Sequence, residues 1–176
     1  MPFYPGPGIG GHCIPVDPLY LSWKVRLTGY EAQFIALADQ VNRAMPEHVV
    51  NLVASALNER GRAVRGASIL VLGVTYKADV NDIRESPALE IIELLARRGG
   101  QIAYADPFIP QLALDGHKLS AVEPTGDTVA AADCVLILTN HSRFDYGDIA
   151  ERASLVVDTR NAMKKFRGAR TSIVSL

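Results

Sequence analysis

The arrangement of apolar and polar positions divides the chain into three stretches. Residues 1–18 show no periodicity and are dominated by Gly and Pro, as in Gly6-Pro7-Gly8-Ile9-Gly10-Gly11. Such a stretch suits neither helix nor regular strand, because Pro lacks a backbone donor and Gly loses the most freedom on ordering. It predicts a shaped loop. Loops of this kind are normally held by a domain on each side, so the chain reads as if it began in mid-protein.

From residue 19 to 64 the apolar positions recur at helical spacing. Asp17-Pro18 opens a first helix, with Asp17 as cap and Pro18 at the first helical position. It runs to about Leu27 and ends at Thr28-Gly29. A second begins near Glu31: Phe34, Ala38, Val41 and Met45, then Val49, Leu52, Val53 and Ala56, repeat at helical intervals up to about Gly61. Pro46 is expected to kink this helix or split it in two. A helix this long is either a spine between domains with apolar surface left for dimerisation, or a helix packed wholly on its own domain.

From residue 65 to 176 the pattern alternates. Ser68-Ile69-Leu70-Val71-Leu72-Gly73 predicts a buried parallel strand. Pro87 to about Arg98 predicts a helix capped by Ser86, with Leu89, Ile92, Leu95 and Ala96 on one face and Gly99-Gly100 as its stop. Residues 101–105, 134–139 and 155–158 read as further strands, residues 110–116 and 127–132 as helices, and 118–122 as a weak strand. Strands alternating with helices imply a doubly wound, mostly parallel, Rossmann-like α/β domain.

Composition narrows this little. Of the 176 residues, 48% are hydrophobic and 21% charged, a globular balance, and the net charge of −1 suggests no nucleic-acid or membrane partner. No apolar run approaches the roughly 20 residues of a membrane span. The N-terminus has neither the basic region nor the apolar core of a signal peptide. Two cysteines in unlike contexts point to a reducing compartment, the cytoplasm.

In a doubly wound domain ligands bind beyond the carboxyl ends of the strands. After the first strand comes Gly73 to Pro87, long against the roughly 2–6 residues usual for such a connection, and it lacks the GxGxxG fingerprint. Its Lys77 and Arg84 suit a phosphate near a helix N-terminus; a solvated surface loop is the equal alternative. Arg160, in Asp158-Thr159-Arg160-Asn161, offers a planar fork for a base or sugar. His141 reads as an ordinary loop or helix-start residue. Cys134 opens an apolar strand and reads as a small hydrophobe. Cys13 follows Gly10-Gly11-His12, where a glycine loop gives a substrate close approach, and Asp17 lies four residues on as a base or water-orienting group. A nucleophilic thiol fits; a buried inert thiol remains open, and a metal site lacks further ligands at suitable spacing.

Taken together these motifs resemble the UDP-glucose/GDP-mannose dehydrogenase family. Gly8-Ile9-Gly10-Gly11-His12-Cys13-Ile14-Pro15-Val16-Asp17-Pro18 is similar to its nucleophile loop, the stretch GVTYKADVNDIRESP to its second hallmark, and DTRN to its third. The resemblance covers essentially the whole chain. It implies a nucleophile loop at 1–18, a helical central and dimerisation segment at 19–64, and a UDP-sugar-binding domain at 65–176. It implies NAD-dependent oxidation of a nucleotide-sugar CH₂OH to a carboxylate, with Cys13 forming a thiohemiacetal and then a thioester, and Asp17 assisting. Phe3, Tyr4, Gly10 and Gly11 would wrap the sugar and phosphates, Tyr76, Lys77 and Arg160 would contact the UDP-sugar, and Arg84 would reach toward NAD. The residues flanking Cys13 look most like UDP-N-acetylglucosamine 6-dehydrogenases of surface-polysaccharide pathways, with the N-acetylmannosamine enzyme also close. The family's NAD-binding domain and some of its acid–base residues are not among these residues, so the polypeptide alone is expected not to turn over at a useful rate. A UDP-sugar-binding and dimerising module without catalysis is the alternative. An α/β receiver domain would need an acidic cluster at the strand ends, and a cysteine hydrolase a His partner that neither His48 nor His117 supplies.

Overall fold

A computed structural model describes residues 4–114, 116–168 and 171–176. Helix α1 spans Asp17–Arg26 and α2 spans Gln33–Asn58. The cap position of α1 is Val16, and Asp17 lies inside the first turn without a side-chain cap bond. Its charge there still complements the helix dipole. The carbonyl of Cys13 instead receives the N–H groups of Val16 and Asp17, at 3.0 and 2.8 Å.

Helix α2 is not split at Pro46, which lies inside it. A proline costs a helix about 3 kcal/mol. Beyond it, Val49, Val50, Val53 and Leu57 are essentially fully buried, each worth roughly 1.5–3 kcal/mol. Tertiary burial outweighs the local defect.

Strands β1 (Ser68–Leu72), β2 (Gln101–Ala105), β5 (Cys134–Ile137), β6 (Leu155–Asp158) and β7 (Ser172–Ser175) form one sheet in the order β2-β1-β5-β6-β7. Every pairing in it is parallel. Alternation along β1 sorts the core into two layers. Ile69 and Val71 face α2 and α3 (Pro87–Arg97), while Leu70 and Leu72 face α4 (Gly126–Ala131) and α5 (Tyr146–Arg152). The strand order reverses between β1 and β5, which makes their carboxyl ends the ligand-binding crevice of such a fold.

Ser86 caps α3 as expected, its hydroxyl accepting from the Ala88 N–H. The buried face of α3 is Ala88, Ile91, Ile92 and Leu95, rotated from the anticipated one: Leu89 is only half-buried and Ala96 exposed. Residues 111–114 are strand rather than helix. Strand β3 (Gln111–Leu114) pairs antiparallel with β4 (His117–Ser120), setting Leu112 opposite Leu119. Leu112 is buried between exposed Gln111 and Ala113, the period of two that a strand demands. Helix α5, a 3₁₀ turn at Lys164–Phe166 and edge strand β7 were not anticipated. Asp145 caps α5 through the N–H groups of Gly147 and Asp148.

Candidate active site

Two adjoining recesses beyond the strand ends meet at Arg160. The larger, of about 720 Å³, is lined by Tyr4, Gly10, Asn42, Tyr76, Lys77 and Arg160 among others. The second, of about 540 Å³, lies at the ends of β6 and β7 against Asp158, Asn161 and Ser175. Tyr4, Pro5 and Arg160 belong to both, so Arg160 stands at their junction. The fold thus gathers Tyr4, Gly10, Tyr76, Lys77 and Arg160 around one space. Phe3 lies outside the described residues.

The Gly-rich loop is pinned rather than frayed. Asn42 on α2 accepts the Ile9 N–H at 2.7 Å and donates to the Ile9 carbonyl at 3.2 Å. The Gly11 N–H donates to the Arg84 carbonyl at 3.0 Å. Gly11 (φ +96°) lies so near the Tyr76 ring that a Cβ there would meet it at 3.0 Å, so a side chain would strain the backbone and crowd the ring. On the opposite wall the loop after β1 begins at Gly73, whose φ of +82° and close approach to Thr139 admit no side chain. Non-glycine residues with left-handed backbone occur at Asp79, Glu85 and Asn161, all in loops beside the recesses. Such conformations cost free energy and concentrate at functional sites.

The charges are arranged unequally. Arg84 grips Asp82 through Nε and Nη2, at 3.0 and 2.7 Å, and these hydrogen bonds hold the Asp82 carboxyl at about 2. Arg160 is the contrast. Asp158 spends its carboxylate on backbone, accepting from the N–H groups of Arg160 at 2.9 Å and Met163 at 2.8 Å. The half-buried Arg160 guanidinium has no hydrogen bond or ion pair among the described residues. Burial pushes its pKa down, against the partial relief of Asp158. A half-buried, unpaired guanidinium is a poised anion receptor.

Cys13 is exposed, with its Sγ 3.6 Å from Nδ1 of His12. It does not line the larger recess, but its neighbour Ile14 does. Asp17 is exposed and reaches Cys13 only through the backbone. Cys134 is fully buried, and desolvation pushes its thiol up to about 12, as befits a structural residue. Sequence reasoning missed Asn42 and gave His141 no special place. His141 is fully buried, and its ring bonds connect segments 35 to 66 residues away, invisible to any local pattern.

The described residues build no dinucleotide site. Gly6-Pro7-Gly8-Ile9-Gly10-Gly11 spells G-x-G-x-x-G, but residues 4–16 form no strand and the following helix starts only at Asp17. The strand–turn–helix that seats a pyrophosphate is therefore not formed there. After β1, Thr75-Tyr76-Lys77 stands where that fold needs glycines.

Residues 70–165 match the UDP binding domain of the UDP-glucose/GDP-mannose dehydrogenase family, and residues 1–44 match its central domain. The chain belongs to this family. Its relatives are nucleotide-sugar dehydrogenases. The UDP-N-acetyl-D-mannosamine dehydrogenase of Methanococcus vannielii is 32% identical over 90% of this chain and 36% of its own. The UDP-N-acetyl-D-glucosamine 6-dehydrogenase of Pseudomonas aeruginosa is 34% identical over 82% of this chain and 34% of its own. Among solved structures, a UDP-D-ManNAc dehydrogenase from Pyrococcus horikoshii superposes with a TM-score of 0.81, at 26% identity, covering 98% of this chain and 40% of that one. The chain spans about a third of the length of the curated relatives it matches. Among the described residues no helix is long and apolar enough to cross a membrane.

Proposed function

We propose that this chain carries the UDP-sugar-binding part and the thiol nucleophile of an NAD-dependent nucleotide-sugar 6-dehydrogenase acting on UDP-N-acetylglucosamine or a related UDP-hexose. The observation that carries this reading is Arg160: an unpaired, half-buried guanidinium at the junction of two recesses, with the Lys77 ammonium on the wall of the larger one. A pyrophosphate linking a nucleoside to a sugar supplies a divided anion with a group for each side. Tyr4, Gly10 and Tyr76 line the same recess, and Phe3 and Gly11 would wrap the sugar and phosphates.

In this reading Cys13 adds to the aldehyde stage of the substrate at C6. A C–S bond forms, the carbonyl pair moves to oxygen, and that oxygen takes up a proton, giving a thiohemiacetal. Asp17 assists later in directing water to the thioester. The oxidations require NAD, which these residues do not seat; Arg84 would face it from the substrate side. The exposed apolar face of α2, with Phe34, Leu37 and Val41, would join two copies into a homodimer.

A second reading has its own support. Because no dinucleotide site is formed among the described residues, the 176-residue polypeptide by itself acts as a binding and dimerising module. Titration calorimetry with UDP, UDP-glucose and UDP-N-acetylglucosamine tests what both readings share. Arg160→Met should weaken UDP binding about tenfold to a hundredfold, as for a lost charged hydrogen bond, without changing the melting temperature. Binding of none of the three by the wild-type chain would sink both readings. NADH formation by the purified polypeptide would sink the second.

A further inference from the structure

His141 lines neither recess, yet its ring ties down the segment that shapes the larger one. Its Nδ1 accepts the Asp79 N–H at 3.0 Å. Its Nε2 lies 3.0 Å from Asp106 Oδ2 and 3.2 Å from Thr75 Oγ1. The Thr75 hydroxyl donates onward to the Lys77 carbonyl at 2.8 Å. Asp79, in its left-handed conformation, also receives the Ser142 N–H on its carboxylate at 2.9 Å. The ring therefore holds Thr75 on one side and Asp79 on the other, and between them lie Tyr76 and Lys77. Tyr76 is in turn the surface on which Gly11 rests.

We infer that His141 is a positioning residue for the UDP-sugar cavity: as the neutral Nε2–H tautomer it clamps both ends of the Thr75–Asp79 segment and so holds Tyr76 and Lys77 in place. The inference rests on the proposed reading of that cavity. The position demands a ring that accepts an amide N–H at one nitrogen and donates to a carboxylate from the other. Asp106 fixes which nitrogen donates. Burial opposes its charge, but hydrogen bonds from His141 and from the Val74 and Phe108 N–H groups outweigh that and keep its pKa below the usual carboxylate range. With those donors and the Ile109 N–H, its oxygens accept only, so Nε2 carries the proton.

The surroundings predict what acid does. Facing the ring are Asp106 from the end of β2, Asp79 from the loop after β1 (Oδ1 3.7 Å from Nδ1), and the rings of Phe108 and Phe144 at 5.2 and 5.5 Å. The Arg143 guanidinium stands over Phe108 at 4.9 Å, and the Tyr146 hydroxyl donates to the His141 carbonyl at 3.0 Å. Protonation turns Nδ1 into a donor, which cannot serve the Asp79 N–H but can turn to the Asp79 carboxylate. The clamp then opens, and Tyr76 and Lys77 lose their fixed setting.

The test uses the isotopically labelled 176-residue chain. At about pH 7.5 the His141 nitrogen shifts should report a bare Nδ1, and the Asp79 amide should exchange slowly. His141→Gln should melt cooperatively, expose the Asp79 amide and bind UDP-N-acetylglucosamine about tenfold more weakly. That ligand's pyrophosphate diester has no titrating proton near neutrality. Wild-type affinity should therefore fall on acidification in step with the His141 signal, and that of His141→Gln should stay flat. If His141→Gln does not fold, Thr75→Val replaces it, with about threefold weaker binding expected from one lost bond. A protonated Nδ1 at neutral pH, unchanged affinity in a folded variant, or wild-type affinity that ignores the imidazole would each overturn the inference. If the wild-type chain binds no nucleotide sugar, the cavity reading fails and the positioning role falls with it; loss of Asp79 protection in the variant would then show that the clamp exists without that role.

Discussion

The two halves of α2 carry apolar stripes of the same kind and meet opposite surroundings. In the C-terminal half Val49, Val50 and Val53 are 0% exposed, sealed between the sheet and α3. In the N-terminal half Phe34 is 88% exposed and Val41 55%, and α1 beside them leaves Trp23 54% exposed. An apolar stripe establishes that a helix has a face to bury, and the fold decides whether the same chain supplies the cover. Here the layered α/β part completes its own core, while the arm of residues 4–45 touches it through contacts such as the Gly11 N–H donated to the Arg84 carbonyl. The larger recess lies along that seam, with Gly10 from the arm and Tyr76 and Arg160 from the layers.

Inserting a charge into each half of α2 is the most direct way to break the comparison. Val53→Asp leaves an uncompensated charge in a dry core and should cost about 3–5 kcal/mol in urea unfolding, enough to undo most of a domain's stability. A cost under 1 kcal/mol would mean that the core is not sealed there.

Acid should distinguish the two parts next. The Asp106 carboxyl sits below its ordinary value of 3.8 in the folded layers, so its contribution to stability is fully present above that value. The contribution is lost as pH falls below 3.8 through the folded value. Urea midpoints of the wild type should fall over that acid window, and those of Asp106→Asn should start lower and change less. Parallel curves would assign acid sensitivity elsewhere, for instance to half-buried Asp82 beside the seam.

The smallest effect on folding is expected at Phe34. Phe34→Asp should alter unfolding by no more than about 0.5 kcal/mol. Sedimentation should nevertheless show weaker self-association if this face joins two copies. Unchanged association would leave the exposed stripe to another partner.

How far the chain could be read in advance depended on whether a feature is local. Strands β1, β5 and β6 were legible because each is a short buried apolar run followed by Gly or a polar residue, and β2 because a mostly apolar stretch stands between Gly100 and Asp106. Strand β7 was not: Ser172 and Ser175 are exposed and only Ile173 and Val174 are half-buried, so its pattern is faint and its pairing with β6 does the work. Residues 111–114 were misread because four residues cannot establish a period, whereas a cross-strand partner can. Lys77 and Arg160 stood out as cations beyond strand ends, Tyr76 came only from the family resemblance, and the fold places all three at one recess.

The sequence by itself determined the alternation of strands and helices, the glycine loop around Cys13, and the family, because these follow from backbone preferences and short spacings. Tertiary structure alone decided which half of α2 is covered, that Asp158 leaves Arg160 unpaired, and that His141 meets Asp106 and Asp79. Those outcomes depend on which distant groups compete for the same partner, and burial makes that competition decisive: inside the fold a polar atom must be bonded, and the choice of partner is made only when the layers close.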